Sequence, residues 1–241
     1  WFVQPDGDML TWLRAYKSNY NVALSDPESR VLQIQGPNSF KILSAASSGK
    51  ISEKLKYFDS GFFKIANQSV YVSRTGWTGE LGYELYTVKG KTNYQRLWEH
   101  LFKIGENYGM MFSSMQAMNI RRIEAGIFDS GSDFDVYTNP FQMGLEKFID
   151  FKKKDFLGKK ALTGFQKSKK IVGVISGAVV PLRGDVVYQG KMQIGKITTG
   201  AYSPFFKSGI GYLKLNRELP LANEELTMLS KTAGPTTCKY T

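Results

Sequence analysis

The chain has 241 residues, 42% of them hydrophobic and 14% aromatic, enough to bury a core in one large domain or two smaller ones and too apolar for a disordered segment. One cysteine, Cys238, excludes a disulfide framework and a Cys-based metal site, and one histidine, His100, leaves a His-rich metal site or a Ser–His triad almost nothing to work with. The net charge of +11 attracts polyanions in general, but lysine runs such as Lys152-Lys153-Lys154 and Lys159-Lys160 are ordinarily solvated faces, so no nucleic-acid partner is expected.

The first residues, Trp1-Phe2-Val3, read as the middle of a strand, which points to a chain lacking its N-terminal part. Asp6 or Asp8 then caps a helix through Leu10, Trp12 and Leu13. Val31 to Gln35 is a short strand ending at Gly36-Pro37, and Asn38 opens a helix carrying Phe40, Ile42 and Leu43. Phe62 to Ile65 and Ser69 to Ser73 form a hairpin around Ala66-Asn67, and Leu81 to Val88 is a further strand. Between Thr92 and Tyr108, apolar residues at helical spacing (Tyr94, Leu97, Trp98, Leu101, Ile104) predict a helix stopped by Gly109. Ser113 with Gln116 makes a capping box for a helix to about Phe128, apolar on more than one side and therefore expected to be mostly buried. Asn139 to Leu162 reads as loop, strand, loop and helix start. Beyond a polar, linker-like stretch at 166–170 come short β segments at Ile171 to Ser176, Asp185 to Tyr188, Met192 to Thr199 and Gly209 to Leu215. Cys238 is expected to be an unpaired thiol in a frayed tail, and His100 a surface or packing histidine. No apolar run approaches ~18 residues, so no membrane span or membrane partner is expected.

Two segments carry candidate chemistry. In Ser73-Arg74-Thr75-Gly76-Trp77-Thr78-Gly79-Glu80-Leu81-Gly82-Tyr83-Glu84-Leu85, three glycines separate two strands and permit positive φ or close approach of another group. Strand alternation sets Glu84 on the face opposite Tyr83 and Leu85. A carboxylate among so many apolar residues needs donors. A pterin ring supplies two parallel N–H donors that a carboxylate accepts as a fork, and Trp77 offers a flat packing surface. The alternative for Glu84 is a salt bridge to a lysine across an edge strand. In the second segment, Arg122 shares a helical stripe with Met115 and Met118, and a guanidinium there needs a partner. That partner is either a folate or an internal group, Glu124 or a neighbouring strand.

Taken together and in this order, these segments resemble the glycine-cleavage T-protein (aminomethyltransferase) family. Ser73 to Leu85 is similar to its Arg-Thr-Gly-aromatic-Thr-Gly-Glu-x-Gly-aromatic-Glu signature, Arg122-Ile123-Glu124 to its Leu-Arg-Leu-Glu helix, and Lys154 to Lys159 to its Lys-x-Asp-Phe-Ile-Gly-Arg segment. Gly195 to Pro204 resembles its C-terminal Gly-x-Val-Thr-Ser-Gly-x-x-Ser-Pro block, while the last 25 residues do not match the family pattern.

The resemblance implies an α+β fold. A folate-binding domain of mixed αβ subdomains is expected over 1–164, lacking its N-terminal part, and a C-terminal β-barrel domain over 165–241. It implies tetrahydrofolate as cofactor, with Glu84, Trp77 and Arg122 as binding residues, and a one-carbon transfer from a small-molecule donor or a lipoyl carrier protein. A cytoplasmic location goes with that role. The family's acid/base aspartate lies upstream of the Trp1 position, so no catalytic residue is assigned here. Met118 and Asn119 stand where an Arg-Asp pair is common in the family. Such departures fit a divergent branch, near folate-dependent demethylases of methylated amines or dimethylsulfoniopropionate, or a folate-binding module without activity.

Overall fold

The structure is a computed structural model that describes residues 1–3, 7–165, 167–168, 170–217 and 226–240. Asp6, one of the two expected helix caps, and Gln166 and Lys169 of the linker lie outside the described residues. The chain is mixed α and β and forms two compact units, Trp1–Ser114 and Met115–Thr241.

The first unit is built on a four-stranded antiparallel sheet of order β1-β4-β3-β2, with β1 Val31–Gln35, β2 Ser60–Ile65, β3 Gln68–Ser73 and β4 Gly82–Tyr86. Alternation divides its faces. Ile34, Val70, Val72, Tyr83 and Leu85 point into a core completed by Ile42 and Leu43 of α2 (Ser39–Ala46) and Leu97 and Leu101 of α3 (Tyr94–Gly105). The β2–β3 hairpin turns at Ala66 and Asn67, both at positive φ (53° and 62°), as a two-residue turn between right-twisted strands requires. Helix α1 (Met9–Tyr16) is capped by Asp8, whose carboxylate accepts from Thr11 N at 3.0 Å; the side chain of Thr11 and then its backbone N–H lower the Asp8 pKa. Asn38 does not cap α2 with its side chain; it donates instead to Tyr108 O at 3.1 Å, joining the start of α2 to the turn after α3. Among the described residues the expected first strand does not form. Residues 1–3 form none, and Trp1 lies flat on Tyr71, with ring centroids 4.6 Å apart and planes at 10°.

In the second unit, six antiparallel strands close a barrel of order β10-β5-β8-β7-β6-β9. They are β5 Ile171–Ile175, β6 Val186–Gln189, β7 Met192–Ser203, β8 Ser208–Leu215, β9 Leu226–Ser230 and β10 Gly234–Tyr240. Val172, Val187, Ile194, Ile197, Leu213, Leu226 and Met228 fill it. Cys238 belongs to this core, fully buried on β10, which corrects the expectation of a frayed tail. The last residues close the barrel: without the β9–β10 pair, β5 and β6 would be open edges.

Helix α4 (Met115–Glu124) packs on β7 and β8. It stops four residues short of Phe128, because Gly126 takes φ 76° and the N–H groups of Gly126 and Ile127 fold back onto Ile123 O and Arg122 O (3.1 and 2.8 Å). It is also less buried than its composition suggests: Arg122 and Ile123 are its buried residues, and Met115 is exposed. The strand expected within 139–162 does not form. Phe141 and Met143 are buried on a series of turns, and Gln142 O accepts from Lys170 N and Ile171 N to dock that segment at the start of β5. A short helix, α5 (Lys159–Gly164), follows. No helix among the described residues is long and apolar enough to cross a membrane.

Candidate functional site

Glu84 sits at the centre of β4, between Gln33 on the edge strand β1 and Ser73 on β3. Its neighbours Tyr83 and Leu85 turn into the core, so its carboxylate stands on the other face, as alternation predicts. Three neutral donors surround it. Thr75 Oγ1 and Tyr86 Oη donate to Oε2 at 2.5 and 2.9 Å, and Gln33 Nε2 donates to Oε1 at 2.9 Å. Among the described residues no lysine pairs with it, so the cross-strand salt bridge is not formed. Burial, then the charge of Glu84 and its hydrogen bond, hold the Tyr86 phenol far above its ordinary pKa, so it remains a donor. Tyr71, Tyr86, Phe62 and Trp1 form an aromatic cluster on this side of the sheet.

The loop 74–81 carries Thr75 and Trp77 from β3 to β4. Its glycines act through space more than through dihedral freedom: only Gly79 has positive φ (73°). A Cβ on Gly76 or on Gly82 would collide with the amide of Gln35, which lies between them. That amide ties the loop down. Gln35 Oε1 accepts from Thr78 Oγ1 at 2.9 Å, and Nε2 donates to Thr75 O and Tyr83 O, each at 3.4 Å. Thr75 is thereby held against Glu84. Trp77 is half-buried in the same loop. Gln33, Gln35 and Tyr86 were not singled out by the sequence. The signal available was alternation along β1, which places Gln33 and Gln35 on one face.

Arg122 lies in the second unit, 1% exposed. Its guanidinium pairs with the carboxylate of Asp133, itself 0% exposed, and also donates to Asn119 Oδ1 (2.9 Å), Ile127 O (3.2 Å) and Thr199 Oγ1 (3.1 Å). Asp133 receives Thr198 Oγ1 at 2.7 Å and Asp129 N at 2.9 Å. Consecutive residues of a regular strand point to opposite faces, yet Thr198 and Thr199 both serve this pair. The register shift between Ile197 and Thr199 on β7 makes that possible. The internal partner of Arg122 is thus Asp133 together with strand β7; Glu124 pairs with Arg121 and accepts from Ser203 Oγ at 2.5 Å.

Residues 4–153 match the family model described as the GCVT N-terminal domain. An aminomethyltransferase of Halothermothrix orenii is 32% identical over 225 residues, covering 90% of this chain and 62% of the relative. One of Thermoanaerobacter pseudethanolicus is 33% identical over 207 residues, covering 83% and 55%. The chain therefore spans less than two thirds of the length of these curated relatives. Among solved structures, the glycine cleavage system aminomethyltransferase T from Bartonella henselae superposes with a TM-score of 0.78 at 23% identity, over 96% of this chain and 63% of that one, a likeness of fold.

Proposed function

We propose that this chain, which belongs to the glycine-cleavage T-protein (aminomethyltransferase) family, serves the transfer of a one-carbon unit to tetrahydrofolate. The observation that carries this reading is the carboxylate of Glu84: it stands on the non-core face of its sheet, held by neutral donors, with acceptor capacity to spare. Such a group can accept a hydrogen bond from the donor edge of a pterin, where the 2-amino and ring N–H groups are adjacent. Tetrahydrofolate, when bound, supplies the nitrogen that takes the carbon. The protein supplies orientation. Thr75, Tyr86 and Gln33 fix the Glu84 carboxylate, and Trp77 offers a flat surface to the ring. Arg122 acts within the second unit, where its guanidinium ties α4 to β7 through Thr199. Positioning of this kind is worth on the order of 7–11 kcal/mol at best. The one-carbon donor is an aminomethyl group on a lipoyl carrier protein or a methyl on a small nitrogen or sulfur compound, and a cytoplasmic location belongs to the same reading.

A functional division at residues 164 and 165 is part of the proposal, folate-binding before it and a β-barrel domain after it. It is supported by the extent of the family match, 4–153, and by the start of the first barrel strand at Ile171.

The test is a calorimetric titration of 5-formyltetrahydrofolate into the chain, wild type beside Glu84→Gln. Micromolar binding that the substitution weakens by about 2 kcal/mol or more is expected, since truncating one partner of a buried charged hydrogen bond costs about that much. Absence of binding by the folded wild-type protein would withdraw the folate reading.

A further inference from the structure

The hydrogen bonds around Glu84 are distributed unevenly between its two oxygens, and that distribution decides what a ligand meets. A carboxylate has about two acceptor positions on each oxygen. Both positions on Oε2 are taken, by Thr75 Oγ1 and Tyr86 Oη. One position on Oε1 is taken by Gln33 Nε2. One acceptor position of Glu84 is left, on Oε1. A ligand edge with two adjacent N–H donors needs two. The second acceptor within reach is covalently fixed beside Gln33 Nε2: the amide oxygen of Gln33, which has no partner among the described residues and sits on the exposed edge strand β1.

We infer that Gln33 is a specificity-determining residue of the pterin site, its amide oxygen accepting the ligand's 2-amino N–H while Glu84 Oε1 accepts the neighbouring ring N–H. This rests on the folate reading of Glu84 above. The cross-strand pairing Gln33↔Glu84 fixes the spacing of the two acceptors, and the Gln33–Glu84 hydrogen bond fixes which end of the amide faces outward. The amide thus does two things at once: it donates to the carboxylate and presents its oxygen to the ligand. The acceptor pair is one charged and one neutral group, so it suits a ring edge with two N–H donors. A ring that places an acceptor where the 2-amino group belongs would face the amide oxygen with no donor.

The experiment measures the Kd of the 241-residue chain for 5-formyltetrahydrofolate and for its 2-desamino counterpart, in the wild type, Gln33→Met and Glu84→Gln. Methionine keeps the length of the side chain and removes the acceptor on an exposed position, so folding is retained. Expected is a wild-type preference for the amino compound of about tenfold, the size of one well-made hydrogen bond. Gln33→Met should shrink that preference at least about threefold, through weaker binding of the amino compound, and leave the desamino compound within about twofold. Glu84→Gln should weaken both. An unchanged preference in Gln33→Met, or tighter binding of the amino compound, would overturn the assignment of Gln33 and leave the folate reading standing. Failure of the wild type to bind either compound would overturn both.

Discussion

Arg122 and Asp133 form an ion pair closed to solvent on both sides, the guanidinium 1% and the carboxylate 0% exposed. A pair of this kind repays the desolvation of its charges only when the remaining donors and acceptors are also satisfied. Here they are met by Asn119, Ile127 O and Thr199 on one side and by Thr198 and Asp129 N on the other. Asp133→Ala strands a buried guanidinium and is expected to cost about 3–5 kcal/mol in urea unfolding. The double replacement Arg122→Met with Asp133→Leu removes both charges and should cost much less than the single. A double mutant as unstable as Asp133→Ala would show that packing, and not charge pairing, carries the effect.

A second prediction concerns the glycine loop. Gly76 and Gly82 leave room for the amide of Gln35, and a Cβ on either would collide with it. Gly82→Ala should displace that amide from Thr78 and from the carbonyls of Thr75 and Tyr83, with a cost of about 1–3 kcal/mol for overpacking. The same substitution in a Gln35→Ala background meets no amide and should cost less than about 1 kcal/mol. A double-mutant cycle by chemical denaturation reads the coupling directly. Additive costs would mean that the loop does not depend on Gln35.

Several of these features could be read from the sequence, for identifiable reasons. The first sheet and four barrel strands follow from short β-prone segments bounded by turn residues, and α3 from its helical spacing. The face of Glu84 was legible from alternation along β4. What was not legible depends on contacts far apart in the chain. Cys238 lies in a segment with no family match and is buried because β10 closes the barrel against β5 and β9. Asp133 lies in a loop, and only the irregular register at Thr198 and Thr199 brings β7 to it. Gln33 and Gln35 looked like the polar half of an ordinary edge strand. Their roles appear once β1 is paired with β4 and the loop folds over it. α4 misled in the opposite direction: its methionines suggested a buried helix, but Gly126 ends it early and Met115 is exposed.

Burial pushes the Cys238 thiol up to about 11, from an ordinary value near 9.0. The folded state therefore holds this proton more tightly than the unfolded state does. Its contribution to stability is fully present below about pH 9 and is lost as pH rises toward 11. Tyr86 and Tyr212, whose phenols are also raised by burial, act with the same sign at still higher pH. The urea midpoint should fall between pH 8 and pH 10.5, and fall less steeply in Cys238→Ala. At pH 8 the thiol should react with an aromatic disulfide reagent only at the rate of unfolding. Rapid reaction of the native protein would contradict a buried Cys238.

Asn93 joins the β2–β3 hairpin to α3 and caps that helix. Its Oδ1 accepts from Arg96 N at 2.9 Å, its own N–H donates to Gln68 Oε1 at 2.6 Å, and its carbonyl accepts from Gln68 Nε2 at 3.2 Å. The capping bond uses the side chain, while the bonds to Gln68 use the backbone. Asn93→Ala should therefore lose only the cap, about 1 kcal/mol, or roughly 2–4 °C in Tm for a chain of this size. Asn93→Asp keeps the acceptor and places a negative charge at the helix N-terminus, so it should be neutral or slightly stabilising. Gln68→Ala removes the side chain's two bonds to the Asn93 backbone but leaves the cap in place, and should cost less than Asn93→Ala because those groups can turn to water. A thermal series in which Asn93→Asp melts as low as Asn93→Ala would show that the helix start is held by Gln68 and the hairpin, not by the cap.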